Sequence, residues 1–345
     1  MNNPYTSRCP LCDARMFFGR AFDLNEIGAF LRGNQSVSIV GPHTIGKTSL
    51  MLHLIRAETL DSLGIGEENL FVYIDCQQLS YSQQYEIFAH FCTKIAAALH
   101  SHGLEPELTL QAAVSKPTWS AFEVALRKLN QRGLRVVLIL DEFEQFAKNP
   151  YVDVNFYNAL RSAAGRLRLV FLTGSVQPLI ELTCFDSSKR ILSSPFFNIF
   201  AQSFLGLLSE TEAGNLIRTP MQSAGIVVTS QLQDFIYQLV GGHPLALQIA
   251  CFHAWDSPED LQLIELQTKQ ELETYYQNYW HNLSPAEQEV LRYPNVAGLQ
   301  GAGDAALMIL LRDLTRKCLL VQTGGSYKYP SRAWAEYVST NLPVT

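Results

Sequence analysis

The sequence lacks a long apolar run, and this absence narrows the class of protein. A membrane-spanning helix needs about 18 consecutive apolar residues, whereas runs such as Val136–Leu140 are short and stop at charges. The first ten residues, MNNPYTSRCP, contain no apolar stretch behind a basic start, so we expect no signal peptide. Repeats, low-complexity tracts and charge runs are also missing. We therefore expect a cytoplasmic protein that does not associate with membranes.

The sequence also has no excess of basic residues and no even set of cysteines that would indicate a disulfide framework. Lys and Arg number 26 against 32 Asp and Glu, for a formal net charge of -6. This balance argues against coating nucleic acid by bulk electrostatics and leaves only a local basic patch for that purpose. The seven cysteines are odd in number and scattered through apolar segments, as expected of free thiols in a reducing compartment. With 345 residues, 47% of them hydrophobic, the chain is globular and long enough for about two to three domains.

The first part of the chain alternates short β-rich runs with helical patterns. The β-rich runs are Ser36–Val40, Phe71–Ile74, Arg135–Leu140, Leu169–Leu172 and Asn198–Phe204. Between them, Phe122, Ala125, Leu126 and Leu129 recur at the spacing of an amphipathic helix. Strands that alternate with helices predict an α/β fold, with a parallel sheet covered on both faces.

The second part of the chain reads as helical until near its end. Ser209–Glu212 and Ser284–Glu287 are predicted capping boxes. Near the C-terminus, a helix, a second helix and a hairpin turning at Gly324–Ser326 give the outline of a winged helix. We predict three domains, which are an α/β core over residues 1–205, a helical lid with a connecting helix over 206–280, and a winged helix over 281–345.

The strongest motif is the segment GPHTIGKT, a complete G-x-x-x-x-G-K-T between a predicted strand and a predicted helix. In such a loop, backbone N–H groups cradle phosphate oxygens, the lysine reaches the β- and γ-phosphates, and the threonine hydroxyl binds Mg²⁺. The candidate nucleotide-binding residues are Gly41, Pro42, His43, Thr44, Ile45, Gly46, Lys47, Thr48 and Ser49. The alternative is an ordinary glycine turn, which the strand-and-helix context disfavours.

Acidic residues follow the strand at Arg135–Leu140. Asp141 is placed to hold Mg²⁺ through water, and Glu142 to orient or deprotonate an attacking water. The alternative is a solvated acidic loop after a core strand. Thr173 and Ser175, at the tip of the next strand, are candidates for a hydrogen bond to the γ-phosphate or the water, or are simply a strand end.

Two further sets of residues admit a functional and a plain interpretation. Arg161, Arg166 and Arg168 precede the strand at Leu169, where one of them could reach a neighbouring subunit's nucleotide, or all could be surface charges. Cys9 and Cys12 look like half of a zinc site, but no second pair lies at usable spacing. We therefore predict no metal other than Mg²⁺.

Two more motifs give the sequence a family resemblance. Phe17–Arg20 (FFGR) lies upstream of the phosphate loop, and Gly241–Pro244 (GGHP) lies in the helical part. With the loop and Asp141-Glu142, they resemble the STAND branch of AAA+ P-loop ATPases, nearest the prokaryotic AAA-like proteins. The resemblance implies that Phe18, Gly19 and Arg20 line the adenine and ribose, that Pro244 presses on the base, and that His243 lies beside it.

The resemblance also implies a function. Family members hold ADP in a closed monomer and exchange it for ATP to open and assemble, so we expect an ATPase that forms a nucleotide-dependent homo-oligomer. Two departures, Ala21 after FFGR and His43-Thr44 in place of an arginine, remove no phosphate or Mg²⁺ ligand. Because the usual effector and sensor domains are not seen, we expect a separately encoded protein partner.

The alternative is a DNA-acting ATPase of the origin-recognition or transposition-regulator type. It would use the winged helix on duplex DNA, and its basic residues are Arg312, Arg316, Lys317, Lys328 and Arg332. Nearby acidic residues make this patch only modestly positive. A third option, an adaptor that never hydrolyses nucleotide, fits poorly with the presence of Lys47, Thr48, Asp141 and Glu142 together.

Overall fold

The computed structural model describes residues 2–5, 10–11, 13–106, 108–184, 196–293 and 305–341. Its five-stranded sheet consists of β1 Ser36–Val40, β2 Asn69–Asp75, β3 Arg135–Asp141, β4 Val170–Ser175 and β5 Phe200–Phe204. The strand order is β2-β3-β4-β1-β5, and every neighbouring pair is parallel. The prediction of an α/β parallel sheet is therefore confirmed.

The helices alternate with the strands in the first part of the chain and dominate the second. They are α1 Ala21–Arg32, α2 Lys47–Leu54, α3 Ala57–Ser62, α4 Gln84–Ser101, α5 Leu108–Ser115, α6 Trp119–Gln131, α7 Glu144–Lys148, α8 Val154–Arg166, α9 Leu179–Cys184, α10 Glu210–Ser223, α11 Ser230–Val240, α12 Pro244–Ala254, α13 Leu261–His281, α14 Pro285–Arg292, α15 Ala305–Arg316 and α16 Arg332–Thr340. A short hairpin of β6 Val321–Thr323 and β7 Ser326–Lys328 separates α15 from α16.

The chain divides into two compact units. The first, here called the sheet unit, comprises Ala21–Gly41 and Leu50–Leu205. The second, here called the helical unit, comprises Met1–Arg20, Pro42–Ser49 and Gly206–Thr345. Compactness alone does not define an independently folding domain, so the three predicted domains remain a prediction.

The sheet unit is built around strands that are buried on both faces. Every residue of β3 and β4 is buried, as expected of a parallel sheet covered by helices. The apolar stripe of α6, beginning at Phe122, packs into the same core. Differences from the sequence prediction lie at strand ends. β4 runs on to Ser175, and a 3₁₀ turn at Phe196–Ile199 precedes β5.

The helical unit has its own apolar core. Both predicted capping boxes are present, with Glu212 accepting from Ser209 and Glu287 accepting from Ser284. After the hairpin the chain forms α16, which the sequence analysis did not predict, and which buries Trp334 with its indole N–H donating to the Leu319 carbonyl at 3.2 Å. The turn that would join α14 to α15 lies outside the described residues, so the winged helix remains a prediction.

Within the part of the chain that the structure describes, no helix combines the length and the apolar character needed to cross a membrane.

Candidate active site

The phosphate loop runs from the end of β1 into the start of α2. Its backbone is left-handed at Thr44 (φ 62°) and at Gly46 (φ 99°). A Cβ at Gly46 would meet no atom within 4 Å, so glycine is favoured there by the backbone conformation and not by a lack of space. The loop leads directly into α2 at Lys47, and the positive end of a helix next to such a loop favours phosphate.

Lys47 is folded against this loop. The side chain is 5% exposed, and its Nζ donates to the Pro42 carbonyl at 3.0 Å. The neighbouring loop residues differ in burial, since Ile45 is fully buried whereas His43 and Thr44 are exposed. A flexible cation next to a left-handed glycine loop is the combination that recognises β- and γ-phosphates.

The two residues after Lys47 begin α2. Thr48 and Ser49 are both half-buried, and the Ser49 hydroxyl accepts a hydrogen bond from the Leu11 N–H at 3.0 Å. The N-terminal segment is thereby tied to the helix that follows the phosphate loop.

Arg20 connects the FFGR motif to the loop. It is 6% exposed, and its guanidinium donates to the Ile45 carbonyl at 3.1 Å. Its own N–H donates to the Glu212 carboxylate at 2.7 Å. Burial on its own raises the pKa of Glu212, but hydrogen bonds from Ser209 and Arg20 lower it overall, which keeps this carboxylate charged. Arg20 is thus held between the loop and the start of α10.

Phe18 and Gly19 are also packed within the helical unit. Phe18 is half-buried and packs against its core. Gly19 has φ 74°, a left-handed conformation that favours glycine, and a Cβ there would approach the Glu212 carboxyl group to 2.8 Å. Their predicted contact with adenine and ribose remains a prediction.

Tyr279, on α13, is the loop's second partner in the helical unit. Its hydroxyl lies 2.7 Å from the Thr44 hydroxyl, and it donates to the His43 carbonyl at 3.2 Å. The same hydroxyl lies 3.3 Å from Nε2 of His243. The sequence analysis missed Tyr279, because nothing local indicates that residues 235 positions apart in the chain are in contact.

The ring of His243 is held neutral in this network. Burial, aided by the charge of Arg20, lowers its pKa to about 4. Its Nδ1 accepts from the Ala246 N–H at 3.5 Å as the N-cap of α12, which assigns the ring proton to Nε2, facing Tyr279. A neutral histidine can therefore relay a hydrogen bond through Tyr279 to the loop.

The GGHP glycines allow close packing of the helical unit. Gly241 has φ 65°, and a Cβ there would come within 2.3 Å of the Pro330 carbonyl oxygen. A Cβ on Gly242 would come within 2.0 Å of the Leu208 carbonyl oxygen. Pro244 occupies the first position of α12, where its missing N–H is tolerated. These features account for the motif structurally, and the contact of Pro244 with a base remains a prediction.

The sheet unit brings the predicted polar strand ends to one edge. In the parallel register, Leu140 of β3 is paired with Thr173 of β4, and Val40 of β1 is paired with Ser175. Gly41, the first residue of the phosphate-loop motif, donates its N–H to the Ser175 carbonyl at 3.1 Å. Ligands of open α/β sheets bind at this carboxyl edge of the strands.

Asp141 is buried at this edge with both carboxylate oxygens engaged. It is 2% exposed. The Tyr73 hydroxyl donates to Oδ2 at 2.9 Å, and the N–H of Glu142 donates to Oδ1 at 3.0 Å. Glu142 itself is half-buried and left-handed, with φ 53°. A non-glycine residue in this conformation carries strain, which is common at functional sites.

The two hydroxyl candidates at the end of β4 differ. Ser175 is fully buried, and its hydroxyl donates to the Gln177 carbonyl at 2.7 Å. Thr173 is also fully buried, and its hydroxyl has no hydrogen-bond partner among the described residues. A buried hydroxyl of this kind calls for a water or a ligand group, so Thr173 is the better candidate of the two.

The predicted trans arginines all lie on the surface of the sheet unit. Arg161, Arg166 and Arg168 are exposed. Arg166 forms an ion pair with Glu123 at 3.2 Å, and Arg168 is left-handed with φ 50°. Exposure is compatible with either interpretation, a contact with a neighbouring subunit or a plain surface charge.

Two further residues near Asp141 were missed by the sequence analysis. Gly174 leaves room for the Asp141 carboxylate, since a Cβ there would come within 2.8 Å of Oδ1. Glu144 is 7% exposed, and neither of its carboxylate oxygens has a hydrogen-bond partner in the described part of the chain. A buried acid two residues after Glu142 makes Glu144 a competitor for its role.

The two predicted metal ligands, Thr48 and Asp141, have oxygen donor atoms, and oxygen donors suit Mg²⁺ better than Zn²⁺. No group of three or more His, Cys, Asp and Glu among the described residues could hold a metal ion, and Cys9 and Cys12 lie outside them. Four other cysteines are free and buried, namely Cys76, Cys92, Cys251 and Cys318. Mg²⁺ takes one or two protein oxygens and completes its shell with phosphates and water. The Thr48 hydroxyl and the Asp141 carboxylate are oxygen donors of this kind.

Comparisons with solved structures agree with this fold. The Walker-type ATPase PABY2304 of Pyrococcus abyssi matches with a TM-score of 0.71 and 14% identity, covering 97% of this chain and 99% of that one. The ORC2 protein of Aeropyrum pernix, solved as ADPNP-ADP complexes, matches with a TM-score of 0.58 and 15% identity, covering 97% and 96%. At these identities the likeness is one of fold. None of the curated proteins matches the chain.

The parallel sheet, the GPHTIGKT loop and the acid at the end of β3 are the features of a P-loop nucleoside triphosphatase. More particularly, the chain belongs to the novel STAND NTPase 2 family, whose model matches residues 32–288. The predicted STAND resemblance is thereby confirmed, and the chain is an NTP-hydrolysing enzyme.

Proposed function

We propose that the chain is an ATP-driven switch, in which the bound nucleotide controls the arrangement of the lid and C-terminal helices, self-assembly and partner recruitment. The observation that carries this proposal is the grouping of the phosphate loop, Pro42–Ser49, with the C-terminal helices in one compact unit. Tyr279 and Arg20 contact carbonyls of this loop. A change in the loop on nucleotide exchange therefore acts directly on Tyr279 of α13 and on Arg20 of the FFGR segment.

The helix α13 offers a route from the loop to the C-terminal segment. Tyr276, one turn before Tyr279, packs edge-on against Trp334 of α16 with ring centroids 5.2 Å apart. Near its start, Glu265 pairs with Arg332 at 2.7 Å, and Lys269 pairs with Glu336. A helix that contacts the loop at one end and α16 along its length can couple their positions.

The hydrolytic reaction is assigned to residues of the phosphate loop and to residues at the ends of β3 and β4. In the proposed reaction Lys47 binds the β- and γ-phosphates, and Thr48 and Asp141 hold Mg²⁺. The ion, when bound, neutralises charge that develops on the phosphates. Glu142 orients the attacking water and accepts its proton, and Thr173 offers a hydroxyl to the same water or to the γ-phosphate.

Assembly and partner recruitment complete the proposal. Arg161 and Arg168, both exposed, are the candidates for contact with a neighbouring subunit's nucleotide. On α15, Met308 and Ile309 are 53% and 49% exposed. Apolar side chains on this helix suit a protein surface better than a phosphate backbone, which supports a protein partner.

The decisive experiment compares particle mass in ADP with that in a non-hydrolysable ATP analogue, using light scattering. We expect a larger particle with the analogue. Tyr279→Phe should reduce this difference, because the hydroxyl that links α13 to the loop is gone, and Tyr275→Phe, on the same helix, is the matched control. Equal masses in the two nucleotides for the unmodified protein would contradict assembly on ATP.

The DNA-acting alternative receives less support. Four of its five basic residues form ion pairs within the helical unit, namely Arg312 and Arg316 with Asp313, Lys317 with Glu287, and Arg332 with Glu265. Lys328 is exposed and has no ion pair among the described residues. Phosphate contacts would have to compete with these acids, and a single exposed lysine supplies little affinity.

Turnover of ATP with and without duplex DNA, at low and at moderate salt, separates the two functions. A rate that DNA does not change supports the switch. Stimulation that weakens as salt rises would favour the DNA-acting function and make Lys328 the first residue to replace.

A further inference from the structure

Hydrogen bonds to both oxygens hold the Asp141 carboxylate in its orientation. The Tyr73 hydroxyl and the Glu142 N–H each occupy one oxygen, at 2.9 Å and 3.0 Å. A hydrogen bond from a phenol to a carboxylate is charge-assisted, and such a bond is stronger than one between neutral groups. The carboxylate is therefore fixed in one rotamer before any ligand arrives.

Residue 174 has no side chain, and this leaves room for the Asp141 carboxylate in its observed position. A Cβ on Gly174 would lie 2.8 Å from both Oδ1 of Asp141 and the terminal methyl group of Met51. The Gly174 carbonyl also accepts the Phe143 N–H at 2.9 Å, which ties the turn after β3 to the end of β4. The backbone around Asp141 is thereby held as firmly as its side chain.

Tyr73 reaches Asp141 from the neighbouring strand. β2 and β3 are parallel, with Asp75 paired with Asp141, so Tyr73 stands two residues earlier on β2. Tyr73 is half-buried. The phenol O–H is the donor of this hydrogen bond, and Oδ2 of the Asp141 carboxylate is the acceptor.

We propose that Tyr73 is a positioning residue, which holds the Asp141 carboxylate in the orientation from which it binds the nucleotide's Mg²⁺ through water. This inference rests on the proposed Mg-ATP chemistry and adds a determinant of metal affinity on β2, a strand that carries none of the motif residues. The loop contacts described above, those of Lys47, Arg20 and Tyr279 with loop carbonyls, do not include Tyr73. Loss of the hydroxyl should weaken the use of Mg²⁺ and leave metal-free nucleotide binding intact.

The test is Tyr73→Phe, with nucleotide affinity measured by calorimetry as Mg²⁺ is varied. We expect the Mg²⁺ concentration that gives half of the full gain in ATP affinity to rise about tenfold, the equivalent of one hydrogen bond to a charged group. Affinity in EDTA should be unchanged. The Mg²⁺ dependence of turnover should shift in parallel, with the maximal rate recovered to within about twofold at saturating Mg²⁺.

Tyr157→Phe is the matched control. Tyr157 lies in the same unit, is 5% exposed, and has a hydroxyl with no hydrogen-bond partner among the described residues. Its replacement should leave the Mg²⁺ dependence where it is, whereas a general loosening of the sheet unit would move both variants.

The two possible failures are distinguishable. If the unmodified protein gains no ATP affinity from Mg²⁺, the proposed function fails and takes this inference with it. If the unmodified protein depends on Mg²⁺ and Tyr73→Phe shows the same dependence, only the role of Tyr73 is overturned.

Discussion

The phosphate loop and the acidic edge of the sheet supply the two halves of one predicted chemistry, but they are held in different ways. Asp141 and Thr173 are at most 2% exposed, and the Asp141 carboxylate accepts hydrogen bonds from Tyr73 and Glu142 of the same unit. His43 and Thr44 of the loop are exposed, and the loop contacts the Tyr279 hydroxyl and the Arg20 guanidinium of the helical unit. We therefore expect the side chains of the acidic edge to keep one conformation. The contacts of the loop, in contrast, can be replaced when a ligand binds.

In a nucleotide-driven switch, we expect the segment that changes conformation to be the phosphate loop and not the acidic edge. Segments that rearrange come from the less stable part of a structure, where few buried contacts must be broken. The hydrogen bond between Tyr279 and Thr44 joins a half-buried residue to an exposed one, so it costs little to break. We therefore expect changes at the acidic edge to affect the chemistry, and changes around the loop to affect the coupling.

The largest effect should come from Glu142→Gln. If Glu142 accepts the proton of the attacking water, its amide replacement should lower turnover by about 100-fold or more while ATP still binds. Phosphate release and calorimetric affinity, measured on the same preparation, check the two halves of this prediction.

Glu144→Gln provides the matched control, because Glu144 is a neighbouring acid of the same type. We expect the Glu144 variant to retain most of the activity. An unchanged rate in the Glu142 variant with a loss in the Glu144 variant would transfer the role of base to the buried acid that has no hydrogen-bond partner.

The second effect tests how rigid the acidic edge is. Gly174→Ala places a methyl group against the Asp141 carboxylate and Met51, and overpacking of this kind costs about 1–3 kcal/mol of unfolding free energy. Gly165→Ala, on α8, meets nothing within 4 Å and should be neutral or stabilise by about 0.4–1 kcal/mol. Urea unfolding of both variants gives the comparison, and equal stabilities would mean that the edge yields easily.

Much of this architecture could be predicted from the sequence, because its signals are local. A glycine-rich loop between a β-rich run and a helix, an acid after an apolar strand, and Ser-x-x-Glu at helix starts each depend on a few adjacent residues. The parallel sheet follows from the alternation of strands and helices. Each of these features appears in the structure where the sequence placed it.

The residues that were missed act across long stretches of chain. Tyr73 and Asp141 are 68 residues apart, and Thr44 and Tyr279 are 235 apart. Strand order and helix packing decide which tyrosine contacts which acid or loop residue. Neither can be inferred from local patterns in a single sequence. The helix α16 was missed for a related reason, since its buried face is defined by its packing within the helical unit.

The smallest predicted effect is a pH dependence of the unfolding free energy, which arises from His243 in the helical unit. The pKa of His243 is about 4 in the folded protein, below its ordinary value of 6.5. Between these values the unfolded chain binds a proton that the folded chain does not, so stability is full above pH 6.5 and falls as the pH drops toward 4. From pH 7 to pH 5 the loss should be about 1–2 kcal/mol.

Tryptophan fluorescence during urea unfolding is a suitable measurement, because Trp255, Trp280 and Trp334 lie in the helical unit and only Trp119 lies in the sheet unit. His53 and His90, whose pKa values are also lowered by burial, add to the acid sensitivity of the sheet unit. His243→Gln isolates the contribution of His243, and its stability should change less between pH 7 and pH 5 than that of the unmodified protein. If the two proteins lose stability equally on acidification, His243 is not held neutral, and the relay from α12 through Tyr279 to the loop loses its basis.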